Sequence, residues 1–121
     1  VWDGDSTAIN RLRAAWREHT LVVCPIVYTE LLAHPGTSTR FILDFLSDLR
    51  IEMVDITRAM WQLAGERYAR MAERRRQSRG DSPRRVAADF VIGAHATLLG
   101  GSILTADTAM YERNFPELTL L

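Results

Sequence analysis

The sequence predicts an α/β domain in which helices cover both faces of a mostly parallel sheet. Two observations predict it. Short apolar, β-branched runs alternate with longer stretches whose apolar residues recur at helical spacing, and Pro, Gly and capping residues punctuate the joints between them. The length of 121 residues suits one compact domain, 1–121, with a core of its own. A hydrophobic share of 47% beside 25% charged residues fits an ordinary globular chain.

Asp5 or Ser6 can cap a first helix running to about His19, with Ile9, Leu12, Ala15 and Trp16 at helical spacing. Leu21 to Cys24 reads as a short buried strand closed by Pro25. Ile26 to Ala33 reads as a helix ended by His34-Pro35-Gly36. Thr37 to Thr39 offer caps for a helix through Leu49, whose apolar face is Phe41, Ile42, Phe45, Leu46 and Leu49. Ile51 to Ile56 is a second strand, followed by a Thr57 cap. A long helix from Arg58 to about Arg76 would bury Trp61, Ala64, Tyr68, Met71 and Ala72. Gln77 to Ser82 breaks it, and Ser82-Pro83 has the form of an N-cap with proline at the first helical position. That helix runs to Leu99 and stops at Gly100-Gly101. Ser102 to Thr105 is a strand, Asp107 to Tyr111 a turn or short helix, and Leu118 to Leu121 a final strand.

The chain opens Val-Trp-Asp-Gly-Asp-Ser, where an α/β domain normally starts with an apolar strand, so a missing strand ahead of Val1 is expected. No apolar run approaches the roughly 20 residues of a membrane helix. The single cysteine, Cys24, excludes an internal disulfide, which fits a cytoplasmic protein. Formal net charge is zero, yet every basic residue other than histidine is Arg. Between Arg67 and Arg85 eight arginines face only two acids, Glu73 and Asp81. Arginine matches phosphate with a planar, two-pronged donor set. The same run is equally what a solvated helix end looks like.

Three carboxylates stand in unusual surroundings. Asp89 interrupts an otherwise apolar helix, Val86 to Ala94, where an unpartnered charge would be costly. It either lies on a thin solvent-facing stripe, pairs with Arg85 one turn back, or serves a site. Asp107 follows Ile103-Leu104-Thr105-Ala106 directly; read alone, it is an Asx turn or a helix N-cap. Thr105 could orient a carboxylate or a metal-bound water, or simply finish the strand. Glu30 is the one acid in Ile26 to Leu32, with His34 one turn later on the same face. In parallel sheets, sites lie beyond the carboxyl ends of strands, which Glu30 and Asp107 both follow closely. Carboxylates converging there would repel one another unless a hard cation joined them. Mg²⁺ and Mn²⁺ prefer oxygen ligands, and a cation so held can acidify a bound water and stabilise phosphoryl charge.

Other chemistries are poorly supported. Nothing brings Cys24 to a histidine, and Gly100-Gly101 follows a helix where a phosphate loop would open one. Zinc-ligand spacing is absent.

The stretch Ser82 to Ala96, containing Asp89, resembles the third-acid helix of PIN domains. Ile103 to Asp107, with Tyr111 and Phe115-Pro116-Glu117-Leu118 after it, looks like that family's closing Thr-x-Asp and C-terminal strand. Val22 to Leu32, containing Glu30, is similar to its second-acid motif. Together they resemble PIN-domain ribonucleases of the VapC toxin type. The resemblance implies a PIN-like three-layer α/β/α fold and a metal-dependent endoribonuclease. Its catalytic and metal-binding residues would be Glu30, Asp89 and Asp107, with Thr105 supporting and Mg²⁺ or Mn²⁺ as cofactor. It also implies an RNA substrate, a cognate antitoxin, a homodimer and no membrane. Trp16, Tyr28, Trp61 and Tyr68 would be candidates for groove or dimer surface, and Arg74, Arg75, Arg76, Arg79, Arg84 and Arg85 for the RNA-backbone surface. The family's first acid, an Asp ending an N-terminal apolar strand, has no counterpart. Asp5-Ser6-Thr7 imitates the local text, but no strand precedes it, and the role is not carried to Asp5. That gap supports the alternative of a catalytically inactive PIN-like interaction domain.

Overall fold

The computed structural model describes residues 6–78 and 87–121. By its packing the chain divides into two compact units, Val1–Val54 and Asp55–Leu121.

The first unit runs α1 (Ser6–Glu18), β1 (Val22–Val23), α2 (Pro25–Leu32), α3 (Thr39–Asp48) and β2 (Glu52–Met53). The strands pair in parallel, Val22 opposite Glu52 and Val23 opposite Met53. Side chains alternate along a strand, so Val23 enters the core while Val22 stays exposed. The expected strands Leu21 to Cys24 and Ile51 to Ile56 therefore shrink to two residues each, and the first is buried on one side only. Pro25 starts α2 at the position where its missing N–H costs nothing. Ser38 caps α3 by accepting from the Phe41 N–H at 3.1 Å. Val23, Ile42 and Leu46 form the buried centre, surrounded by Val27, Tyr28, Leu31, Leu32, Phe45 and Ile51. Trp16 donates its indole N–H to the Leu49 carbonyl at 2.8 Å, fastening α1 to the end of α3. Its ring remains exposed, as does Phe41, which lies at the edge of the Ile42–Leu46 stripe.

The second unit runs α4 (Arg58–Gln77), α5 (Ala87–Leu98), β3 (Ser102–Ile103), α6 (Thr108–Asn114) and β4 (Thr119–Leu120). Thr57 caps α4 through the Met60 N–H at 3.2 Å. The buried stripe of α4 is Met60, Ala64 and Met71, with Tyr68 half-buried. Trp61 lies one residue off that stripe, roughly 100° around the helix, and is exposed, contrary to the sequence expectation. Phe90 of α5 packs at 5.2 Å from Tyr68 and 6.0 Å from Phe115, and Phe115 meets Tyr111 at 6.2 Å. Gly93 is required where α5 meets this cluster, because a Cβ there would collide with the Phe115 ring. Strands β3 and β4 are parallel, Ser102 opposite Thr119 and Ile103 opposite Leu120.

The predicted parallel sheet thus takes the form of two parallel pairs, each with its own helices. The Asp5 cap and the Ser82-Pro83 helix start, with Arg79, Arg84 and Arg85, lie outside the described residues.

Candidate functional site

Asp107 occupies the N-cap of α6, and its Oδ1 accepts from the Met110 N–H at 3.4 Å. The Thr105 hydroxyl accepts from the Asp107 N–H at 3.0 Å, so both residues shape the turn that leads from β3 into the helix. Capping and a site role are compatible, since a carboxylate has two oxygens and about four lone-pair directions.

Asp89 is half-buried in the first turn of α5, ahead of the buried Phe90 and Val91. Its backbone carbonyl accepts from the Tyr111 hydroxyl at 3.3 Å. Tyr111 stands four residues after Asp107, which puts the two on one face of α6. A single phenol therefore ties the turn bearing Asp89 to the helix capped by Asp107.

Glu30 is exposed on α2 in the first unit. His34 lies just beyond that helix, with Nδ1 at 3.0 Å from the Pro35 carbonyl. Cys24 is buried at the N-cap of α2, and burial pushes its thiol pKa up, with the nearby Glu30 charge adding to the effect. A thiol so raised stays protonated and is a poor nucleophile.

Carboxylate oxygens are the donors a hard divalent cation takes. Mg²⁺ is commonly held by one or two of them, with water and substrate phosphate completing the shell. Asp89 and Asp107 fit that donor chemistry within the second unit. Among the described residues, no three His, Cys, Asp or Glu side chains gather around one point.

The arginines divide by partner. Arg67 forms a two-pronged pair with Glu117, at 2.8 and 2.9 Å, and donates to the Asn114 carbonyl at 2.7 Å. Its guanidinium lies 5.2 Å from the centre of the Phe115 ring. The hydrogen bond to Arg67 holds the Glu117 carboxyl below its usual range, and the reciprocal bond raises Arg67. Arg74 donates to Asn114 Oδ1, and Arg76 pairs with Glu73 on the same helix. Arg75 has its Nε buried without a hydrogen-bond partner.

A family model of the PIN domain matches residues 2–116. The chain belongs to the PIN-domain family. In structure this PIN domain is similar to VapBC2 from Rickettsia felis, solved bound to a DNA fragment from its promoter. The TM-score is 0.65, with 23% identity over 93% of this chain and 82% of that one. At that identity the likeness concerns the fold. A comparison with curated proteins finds no sequence match.

Sequence reading missed two features of this PIN domain. The Tyr111 bond to the Asp89 carbonyl joins residues 22 positions apart, and the Arg67–Glu117 pair joins residues 50 apart. No helical or strand periodicity encodes such separations. The available signal was chemical: an acid beside proline in Phe-Pro-Glu-Leu, and an arginine run with few acids in its own segment.

Proposed function

We propose that this PIN domain is a metal-dependent endoribonuclease, acting in the cytoplasm as the VapC-type toxin of a toxin–antitoxin pair. The observation that supports the reading is the Tyr111 hydroxyl bond to the Asp89 carbonyl, which ties the first turn of α5 to the helix that Asp107 caps, within a PIN fold. In this reading Asp89 and Asp107 supply oxygen ligands to Mg²⁺ or Mn²⁺, while Glu30, the other acid that the family resemblance names, stands in the first unit. The bound cation would lower the pKa of a water and stabilise charge on the phosphoryl oxygen. Thr105 acts through the turn, setting the Asp107 backbone by accepting its N–H. Tyr111 acts as a positioning residue, holding the first turn of α5 in register with α6. The basic residues Arg74, Arg75 and Arg76, continuing to Arg79, Arg84 and Arg85, would meet the RNA backbone.

The similarity to VapBC2 supports an antitoxin as partner, and a homodimer accords with the same reading. Exposed Trp16, Phe41, Leu43 and Trp61 are apolar surface that such partners would cover. No helix among the described residues is long and apolar enough to cross a membrane.

Replacing Asp89 by Asn tests the assignment. The variant should lose RNA cleavage while its melting temperature stays near that of the parent. Cleavage at the parental rate would sink the nuclease reading. The second reading is a PIN-like interaction domain without activity. Mn²⁺ separates the two readings: a metal-binding protein melts at higher temperature as Mn²⁺ is added, and an interaction domain does not.

A further inference from the structure

The second unit contains a cavity of about 220 Å³ whose lining includes Arg67, Arg70 and Arg74 of α4, Arg113 and Asn114 of α6, and Glu117. The spacing of the three α4 arginines, i, i+3 and i+7, puts their stems on one helix face. Two of the four guanidiniums are held in place. Arg67 is clamped by Glu117 and the Asn114 carbonyl, and Arg74 is held by Asn114 Oδ1. Asn114 is itself buried and anchored by donating to the Met110 carbonyl at 2.9 Å. A guanidinium has five N–H donors, so both retain donors after these bonds. Arg70 and Arg113 form no hydrogen bond or ion pair among the described residues.

The charges do not balance. Four cations line the pocket beside one carboxylate, Glu117, which Arg67 engages directly and whose charge also acts on Arg70. Arg67 and Arg74 serve the structure through Glu117 and Asn114, and Arg70 and Arg113 add positive charge that an anion would offset. The partner such a pocket suits carries several oxygens on one centre, because a planar guanidinium engages phosphate with two parallel bonds.

Position selects among anions. Arg113 sits near the end of α6 and Asp107 caps its start. A helix of seven residues is roughly 10 Å long, so the pocket lies a few nucleotides' span from Asp107. The pocket reaches Arg74 in the last turn of α4. A polymer with a phosphate at every residue can fill the pocket and reach towards Asp107 at once. We infer that the arginine pocket between α4 and the end of α6 binds the phosphodiester backbone of single-stranded RNA, away from the bond to be cut. This inference rests on the nuclease reading for the identity of the polymer.

The test measures binding without cleavage. A labelled single-stranded RNA oligonucleotide is titrated with the full chain in chelator, and anisotropy is followed across salt concentrations. The double variant Arg70→Ala, Arg113→Ala removes two cations that form no hydrogen bond among the described residues, so its melting temperature should stay close to the parent. Its affinity should fall at least about tenfold, and the slope of log affinity against log salt should shrink by about 1.4. A control, Arg13→Ala with Arg17→Ala, removes equal charge from exposed positions of α1 and should change affinity less than about twofold. Parental affinity in the pocket variant overturns the inference, as does an equal loss in the control or no RNA binding by the parent. Polyglutamate binding that the pocket variant loses while keeping RNA would instead mark an acidic-peptide surface, and would also overturn it. Failure here leaves the Asp89→Asn cleavage test untouched. Conversely, an Asp89→Asn protein that still cuts would end the cleavage assignment without restoring RNA affinity to the pocket variant.

Discussion

In the first unit the buried centre consists of Val23, Ile42 and Leu46, ringed by half-buried neighbours. In the second, Phe90, Phe115 and Met110 are almost wholly buried, together with Met60, Met71, Val91, Ala94 and Ile103. Their polar ties differ in reach as well. Among the described residues the first unit is fastened by local caps such as Ser38 to Phe41 and by a longer tie from Trp16 to Leu49. The second is crossed by side-chain bonds spanning 22, 40 and 50 residues. The two proposed metal ligands, Asp89 and Asp107, stand in the unit with the larger core. A site that must hold carboxylates in fixed relation needs rigid elements beneath it. The second unit supplies them through the aromatic cluster, and Glu30 stands on the exposed face of a lighter structure.

The sharpest way to break this comparison is to empty each core in turn. Phe115→Ala should destabilise by about 4 kcal/mol, since Phe115 is fully buried and touches Phe90, Tyr111 and Arg67. Ile42→Ala, also fully buried, should cost about 3 kcal/mol, because its smaller side chain leaves a smaller cavity. Denaturant unfolding of the two variants measures both. If Ile42→Ala proves the more damaging, the second unit is not the stronger of the two.

The same contrast explains what could be read from sequence. The helices were legible because helical spacing and caps are local: Ser38, Thr57 and Asp107 sit where a helix begins. Parallel strands were legible as kind and order, but not in length. Val23 and Cys24 of its run are buried while Val22 is exposed, and a two-residue ladder ends where no further partner strand continues it among the described residues. Trp61 misled because aromatic spacing along α4 does not reveal which of two adjacent positions faces inward. At the site, the isolation of Asp89 among apolar residues and the position of Asp107 after a strand were both visible. The tie between them was not, because it runs from a phenol to a backbone carbonyl and leaves no pattern in residue type.

A smaller effect separates the structural and chemical roles of Asp107. Asn caps helices as well as Asp, so Asp107→Asn should leave the melting temperature close to the parent while removing the charge. Asp107→Ala removes the cap too and should cost about 1 kcal/mol. If the carboxylate serves a metal, both variants lose cleavage and Mn²⁺-dependent stabilisation equally, although only one loses stability. If Asp107 is only a cap, Asn retains full activity, and the second unit carries one candidate ligand fewer.

The smallest expected effect concerns the Arg67–Glu117 pair, whose carboxylate is partly exposed and screened by water. Glu117→Gln should cost about 0.5–1 kcal/mol near neutral pH. The folded Glu117 carboxyl titrates below its usual range, through the Arg67 hydrogen bond first. Its contribution is therefore complete above the ordinary carboxylate range and is lost as pH falls through the lowered folded value. The difference between parent and variant should narrow in acid and hold steady from mildly acidic to neutral pH. A gap that widens on acidification would mean that Glu117 is held in its neutral form. Arg67 would then be a cation without its counter-charge, and the arginine pocket would carry still more positive charge than the parent structure gives it.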